Sequence, residues 1–178
     1  HDEKLFKMPP PNDDCDICML LLPSLDTGSK YKGCCGKSIC SGCIHAVALR
    51  DGVGLCPFCR TPAPTQEEMI EQYKKRMEVD DAEAIYNLGC CHADGHFGVA
   101  QNVDKALELW HRAAELGHAR ANTNIGVVYY EGNGVERNEE KANHYWELAA
   151  IEGDVGARHN LGVIEKRAGN IDRAVKHY

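Results

Sequence analysis

Ala84-Ile-Tyr-Asn-Leu-Gly89 returns as Ala121-Asn-Thr-Asn-Ile-Gly126 and again as Ala157-Arg-His-Asn-Leu-Gly162, at intervals of 37 and 36 residues. A fixed period of this length marks stacked supersecondary units, none of which can bury its apolar face alone. Around that core the match extends. Lys105-Ala106 with Trp110 corresponds to Lys141-Ala142 with Trp146, then to Arg173-Ala174 with Tyr178. Asp94-Gly95 through Gly98-Val99 corresponds to Glu131-Gly132 through Gly134-Val135. Each unit reads as helix, glycine turn, helix. Residues 81–178 hold two full units and a partial third, which passes through Ala168-Gly169-Asn170 without the longer glycine loop. Its second helix is shorter than the ~12–15 residues at which isolated helices become marginal, so the natural chain is expected to continue past Tyr178.

The remaining sequence is of a different kind. All seven prolines and eight of the ten cysteines fall before residue 65. Proline in a helix interior costs about 3 kcal/mol, so its absence afterwards suits a helical array. The net charge of −7 also belongs to the second part: residues 1–64 carry seven acids and seven bases, residues 65–178 carry 20 and 13. An acidic balance argues against an electrostatically driven nucleic-acid binder. No run approaches the roughly 18 apolar residues of a membrane span. The first residue is histidine, so the chain is read as an excerpt of a longer one, and its first 14 residues contain no apolar signal core. We expect a disordered segment over 1–14, a finger over 13–64, a linker helix over 65–80 and repeats over 81–178. The linker helix has a capping box, Thr65 with Glu68, and an apolar stripe of Met69, Ile70, Tyr73 and Met77 suited to docking the finger on the first repeat.

Within the finger the pattern is Cys15-x2-Cys18, adjacent Cys34 and Cys35, Cys40-x2-Cys43, and Cys56-x2-Cys59. Two residues between thiolates let both sulfurs reach one tetrahedral ion at about 2.3 Å. A disulfide framework is the alternative, but a small oxidised scaffold would not repeat one short knuckle three times. So small a segment buries too little surface to be stable alone, and structural metal sites supply on the order of 10 kcal/mol each.

The four ligand pairs, Asp16-Ile17-Cys18 and Cys56-Pro57-Phe58-Cys59-Arg60 resemble a RING finger in an eight-cysteine variant. That resemblance implies two zinc ions with interleaved ligands: Cys15, Cys18, Cys40 and Cys43 at one site, and Cys34, Cys35, Cys56 and Cys59 at the other. Adjacent Cys34 and Cys35 depart from the family's usual spacing. Neighbouring side chains in extended backbone face opposite ways, so both reach one ion only through a sharp turn, which Gly33 and Gly36 permit. His45 is the rival ligand, although it is expected on the surface of a helix over Ser41 to Arg50 that Gly52 ends. Lys37 stands where related fingers place a histidine, and is expected in solvent. The family resemblance also implies a ubiquitin-conjugating enzyme as partner, docked on Ile17 and Pro57 with Val47 or Leu49, and Arg60 bridging it to ubiquitin. Packing around the zinc loops is the plainer role for Ile17 and Pro57.

The period-36 units resemble Sel-1-like repeats, relatives of tetratricopeptide repeats. Cys90 and Cys91 align with Val127 and Val128, which makes them small core residues rather than ligands shared with His92 and His96. Asn87, Asn124 and Asn160 recur in register, either lining a peptide-binding face or bonding the backbone. The expected fold is thus a small zinc-stabilised RING-like α+β finger joined to an all-α helical-repeat solenoid. No paired-carboxylate, nucleophile–base or phosphate-loop pattern occurs, so no catalytic residue is expected. Filled thiolate sites leave no open metal position. The resemblances imply an intracellular ubiquitin ligase, cytoplasmic or nuclear, with a protein or peptide held on the repeats. A non-catalytic adaptor with a structural zinc finger is the alternative.

Overall fold

The computed structural model describes residues 2–6, 14–20, 22, 28–51 and 54–177. Along the chain the elements are α1 (Asp2–Leu5), β1 (Ser29–Lys32), β2 (Lys37–Cys40), α2 (Ser41–Asp51), α3 (Gln66–Met77), α4 (Ala82–Asp94), α5 (Val103–Glu115), α6 (Ala119–Glu131), α7 (Glu139–Ile151), α8 (Val155–Arg167) and α9 (Ile171–His177). They form two compact units: residues 11–101, and residues 1–10 with 102–178. The compact boundary falls inside the first repeat, because α4 packs on α3 and stays with the finger.

In the first unit, β1 and β2 pair antiparallel with Ser29 opposite Cys40 and Lys32 opposite Lys37. Leu55 and Pro62 form a further antiparallel bridge. The helix α3 begins as its sequence requires. Thr65 Oγ1 accepts from Glu68 N at 3.2 Å, and Glu68 Oε2 accepts from Thr65 N at 2.8 Å. Its stripe turns inward: Ile70 is buried, and the Tyr73 ring lies 6.2 Å from that of Tyr31 on the hairpin. Arg76 Nε donates to Gly33 O at 3.4 Å. Tyr31 donates to Asp81 Oδ2 at 2.7 Å, while Asp81 Oδ1 accepts from Ala84 N at 3.2 Å and so caps α4. Burial, then the bond to Asp81 and its charge, push the Tyr31 hydroxyl far above its ordinary range, so it stays a donor. One carboxylate thus joins hairpin and helix.

The second unit stacks α5 to α9, each on the next. Asn102 and Asn138, 36 residues apart, cap α5 and α7 alike, each side chain accepting from the backbone N–H three residues on at 2.9 Å. Asp154 caps α8 in the same way at 2.7 Å. The close approach at the repeat junction explains one glycine: a Cβ on Gly126 would sit 2.5 Å from Trp146 Nε1. That indole lies over the helix and donates to Thr123 O at 3.1 Å. Trp146, Ala149, Ala150, Ala157 and Leu161 form a buried cluster.

Two expectations need correcting or bounding. Segment 1–14 is not disordered throughout: residues 2–5 are helical, and Leu5 is 1% exposed within the cluster of α7 and α8. Burial of that one apolar side chain is what local composition did not disclose. Gly52 and Tyr178, read as a helix stop and a repeat aromatic, lie outside the described residues. No described helix is long and apolar enough to cross a membrane.

Candidate metal centre

Four short pieces of backbone bring the eight finger cysteines together. The first and last are built alike. Met19 N donates to Cys15 O and Arg60 N to Cys56 O, both at 2.9 Å. Cys15 N donates to Leu20 O at 2.7 Å and Cys56 N to Thr61 O at 2.8 Å. Both knuckles close through a left-handed residue, Met19 with φ 55° and Arg60 with φ 61°. That reversal aims both sulfurs of each Cys-x2-Cys to one side. The third piece is the junction of β2 with α2, where Cys43 N donates to Cys40 Sγ at 3.4 Å. The second is the hairpin turn. Cys35 N and Gly36 N both donate to Lys32 O, at 3.1 and 2.8 Å, and Gly36 has φ 70°. This turn brings the adjacent Cys34 and Cys35 to one place.

The result is two quartets, Cys15 with Cys18, Cys40 and Cys43, and Cys34 with Cys35, Cys56 and Cys59. Within each, all four sulfurs lie within 4.8 Å of one another. Cys18 and Cys40 sulfurs are 3.8 Å apart, as are those of Cys35 and Cys56. A tetrahedron with metal–sulfur bonds of about 2.3 Å has edges of about 3.8 Å. Disulfide sulfurs stand about 2.05 Å apart, so these are not pairs on the way to bridging, and all ten cysteines are free thiols. Backbone N–H groups also reach the sulfurs, as in Cys40 N to Cys15 Sγ at 3.4 Å, which favours the thiolate.

Electrostatics divides each quartet. Burial pushes the Cys15 thiol up, but N–H donors from Cys40, Cys18 and Ile17 together outweigh it and hold it at about 6. The Thr61 hydroxyl and backbone lower Cys59 to about 6. Burial and then the neighbouring Cys59 and Cys56 push Cys34 well up; burial and Cys40 push Cys43 to about 12. Four thiols this close cannot all ionise without a cation among them. The donor set, all sulfur and four per site, fits a tetrahedral structural ion and leaves no position for a substrate.

The other expected site residues fall into place as follows. Ile17 is 40% exposed, Pro57 is half-buried and Arg60 is exposed. Val47 and Pro57 line one shallow cleft with Ile39, Ile44, Leu55 and Pro62, whereas Leu49 is 76% exposed and is not part of it. Ile44 was missed by sequence reasoning, although Ile44, Val47 and Ala48 recur at the helical i, i+3, i+4 spacing. His45 is exposed and belongs to neither quartet. Lys37 is exposed as expected but is engaged: its ammonium lies 3.2 Å from Asp16 Oδ1 and 5.2 Å from the Phe58 ring centroid. It therefore ties the first knuckle to the last. Cys91 is 4% exposed, and Cys90, Cys91, His92 and His96 make no metal-holding group among the described residues. Asn87 Nδ2 donates to Glu83 O of its own helix at 2.6 Å, the backbone-bonding alternative.

Comparison with known proteins follows the same division. The Sel1 repeat family matches residues 82–118 and 119–154. The fold resembles the Sel1 repeat protein of Oxalobacter formigenes, with TM-score 0.59 and 22% identity over 77% of this chain and 54% of that one. It also resembles c5321 of uropathogenic Escherichia coli, which displays an SLR fold, with TM-score 0.55 and 30% identity over 61% of this chain and 24% of that one. Helicobacter pylori cysteine rich protein B gives TM-score 0.50 at 23% identity, over 53% and 71%. Among curated proteins, E3 ubiquitin-protein ligase GW2 of rice, in the indica and japonica subspecies, is 29% identical over 79 residues. That match spans 38% of this chain but only 18% of the rice protein.

Proposed function

Since the chain carries Sel1 repeats beside an eight-cysteine module compatible with a zinc finger, we propose that it is a scaffold ubiquitin ligase. On this reading each quartet holds one zinc ion, whose role is to supply the folding energy that the small finger lacks. The finger docks a ubiquitin-conjugating enzyme, and the repeats hold a protein or peptide to be modified. The observation that carries the reading is the interleaving of ligand pairs: first with third, second with fourth. Pro57 lines a cleft with Val47, and Ile17, outside that cleft, is an exposed apolar residue of the first knuckle. Partial likeness to a ubiquitin ligase supports the same assignment.

The chain's own residues would act by restraint. Ile17, Val47 and Pro57 offer apolar contact to the conjugating enzyme. Arg60 presents a planar guanidinium that can donate to several carbonyls at once, restraining the thioester-linked ubiquitin in a reactive pose. Proximity and orientation of this kind supply large rate factors without covalent chemistry by the scaffold. Cysteines committed to metal rather than to disulfides also suit an intracellular, reducing compartment.

The test is discharge of ubiquitin from several loaded conjugating enzymes, with and without the chain. Acceleration with at least one supports the ligase. No acceleration with any enzyme, together with retained zinc, makes the finger a structural element of an adaptor.

A further inference from the structure

Segment 2–6 belongs to no repeat, yet it sits on the repeats as a bound peptide would. Leu5 is 1% exposed in the cluster that contains Trp146, Ala150 and Leu161. The Phe6 ring lies 4.8 Å from the His177 ring, with Arg173 and Lys176 over it at 5.8 and 5.4 Å. Asp2 Oδ2 accepts from Arg173 Nη1 at 2.6 Å, and Glu165 holds that guanidinium at Nε, 2.7 Å away. One helical turn sets Asp2, Leu5 and Phe6 on a common side, since positions three and four apart are neighbours on a helix.

We infer that this groove of α7, α8 and α9 is a recognition site for peptides with an acidic residue followed three and four positions later by leucine and an aromatic. The chain's own segment 2–6 occupies it in cis. Each element of the pattern has its receptor: a closed apolar pocket for leucine, an imidazole with two cations for the ring, and a pre-oriented guanidinium for the carboxylate. The mode is a short helix in a groove. Exchange is expected because the hold is slight. One buried side chain, one partly buried ring and one exposed ion pair must offset the ordering of five residues. Exposed ion pairs contribute little to such a balance. Attachment in cis gives the segment a high effective concentration, so a partner in trans meets a guarded site. This inference rests on the repeats being the partner-binding module. Its test involves no conjugating enzyme, so its failure would leave the ligase reading untouched.

The experiment titrates a fluorescent peptide with the sequence of residues 1–8 against three full chains: wild type, Leu5→Asp and Asp2→Lys. Anisotropy should show at least tenfold tighter binding to Leu5→Asp than to wild type, with Asp2→Lys between them. A peptide carrying the same Leu5→Asp change should bind none of the three. Equal affinity of wild type and folded Leu5→Asp overturns the proposal. If Leu5→Asp does not fold, Asp2→Lys decides, because it reverses the charge facing Arg173 while keeping Leu5. No gain over wild type there overturns it too.

Discussion

Arg60 follows the last ligand with φ 61°, in the left-handed region that costs a non-glycine residue about 1–2 kcal/mol. Its backbone closes the knuckle, whereas its side chain is exposed. The two roles separate by substitution. Arg60→Ala keeps the left-handed cost and should retain both metal ions, with stability changed by no more than about 0.5 kcal/mol. Arg60→Gly should raise the melting temperature by relieving that cost. Both should slow ubiquitin discharge by at least about tenfold, a loss of about 1.4 kcal/mol of transition-state stabilisation. Discharge at the wild-type rate in either variant removes Arg60 from the mechanism. The eight cysteines of the two quartets were legible at this scale because thiol spacing is a strong constraint. The left-handed Met19 and Arg60 were not, since neither is a residue type that announces such backbone.

Asp81 shows what single elements conceal. It caps α4 with one oxygen and accepts from Tyr31 with the other. Tyr31→Phe should cost about 0.5–1.5 kcal/mol, the net worth of one hydrogen bond. Asp81→Ala should cost more, because loss of an N-cap adds about 0.5–2 kcal/mol. Urea unfolding of the two variants and their double mutant measures the coupling; strict additivity would show that hairpin and helix are independent. At α9, burial holds His177 below its ordinary value of 6.5, and its ring nitrogens have no partner among the described residues. The folded chain then binds fewer protons than the unfolded one between the lowered value and 6.5. Stability from this group is complete above that window and is lost as pH falls through it. Wild type should therefore lose more stability than His177→Phe between pH 7.5 and 5.5, by paired urea titrations. Equal losses would mean that the ring is solvated. The linker helix was readable from its Thr65 cap and the repeat helices from their period, whereas the Asn102 and Asn138 caps became visible only in the structure. The Tyr31–Asp81 bond spans 50 residues and leaves no local trace.

Across the whole chain, periodicity announced the repeats and cysteine spacing announced the finger, because each constraint recurs. The helical turn at 2–5 and the packing of α4 on α3 depend on long-range contacts that leave no repeating pattern in the sequence. The account turns on two separate ions held by interleaved thiolates. Native mass spectrometry of the wild type should show two zinc ions per chain. Cys15→Ser and Cys34→Ser should each lose one, from different quartets, and the double variant should lose both. A wild type holding a single ion, or a double variant that still holds one, would contradict the two-site finger.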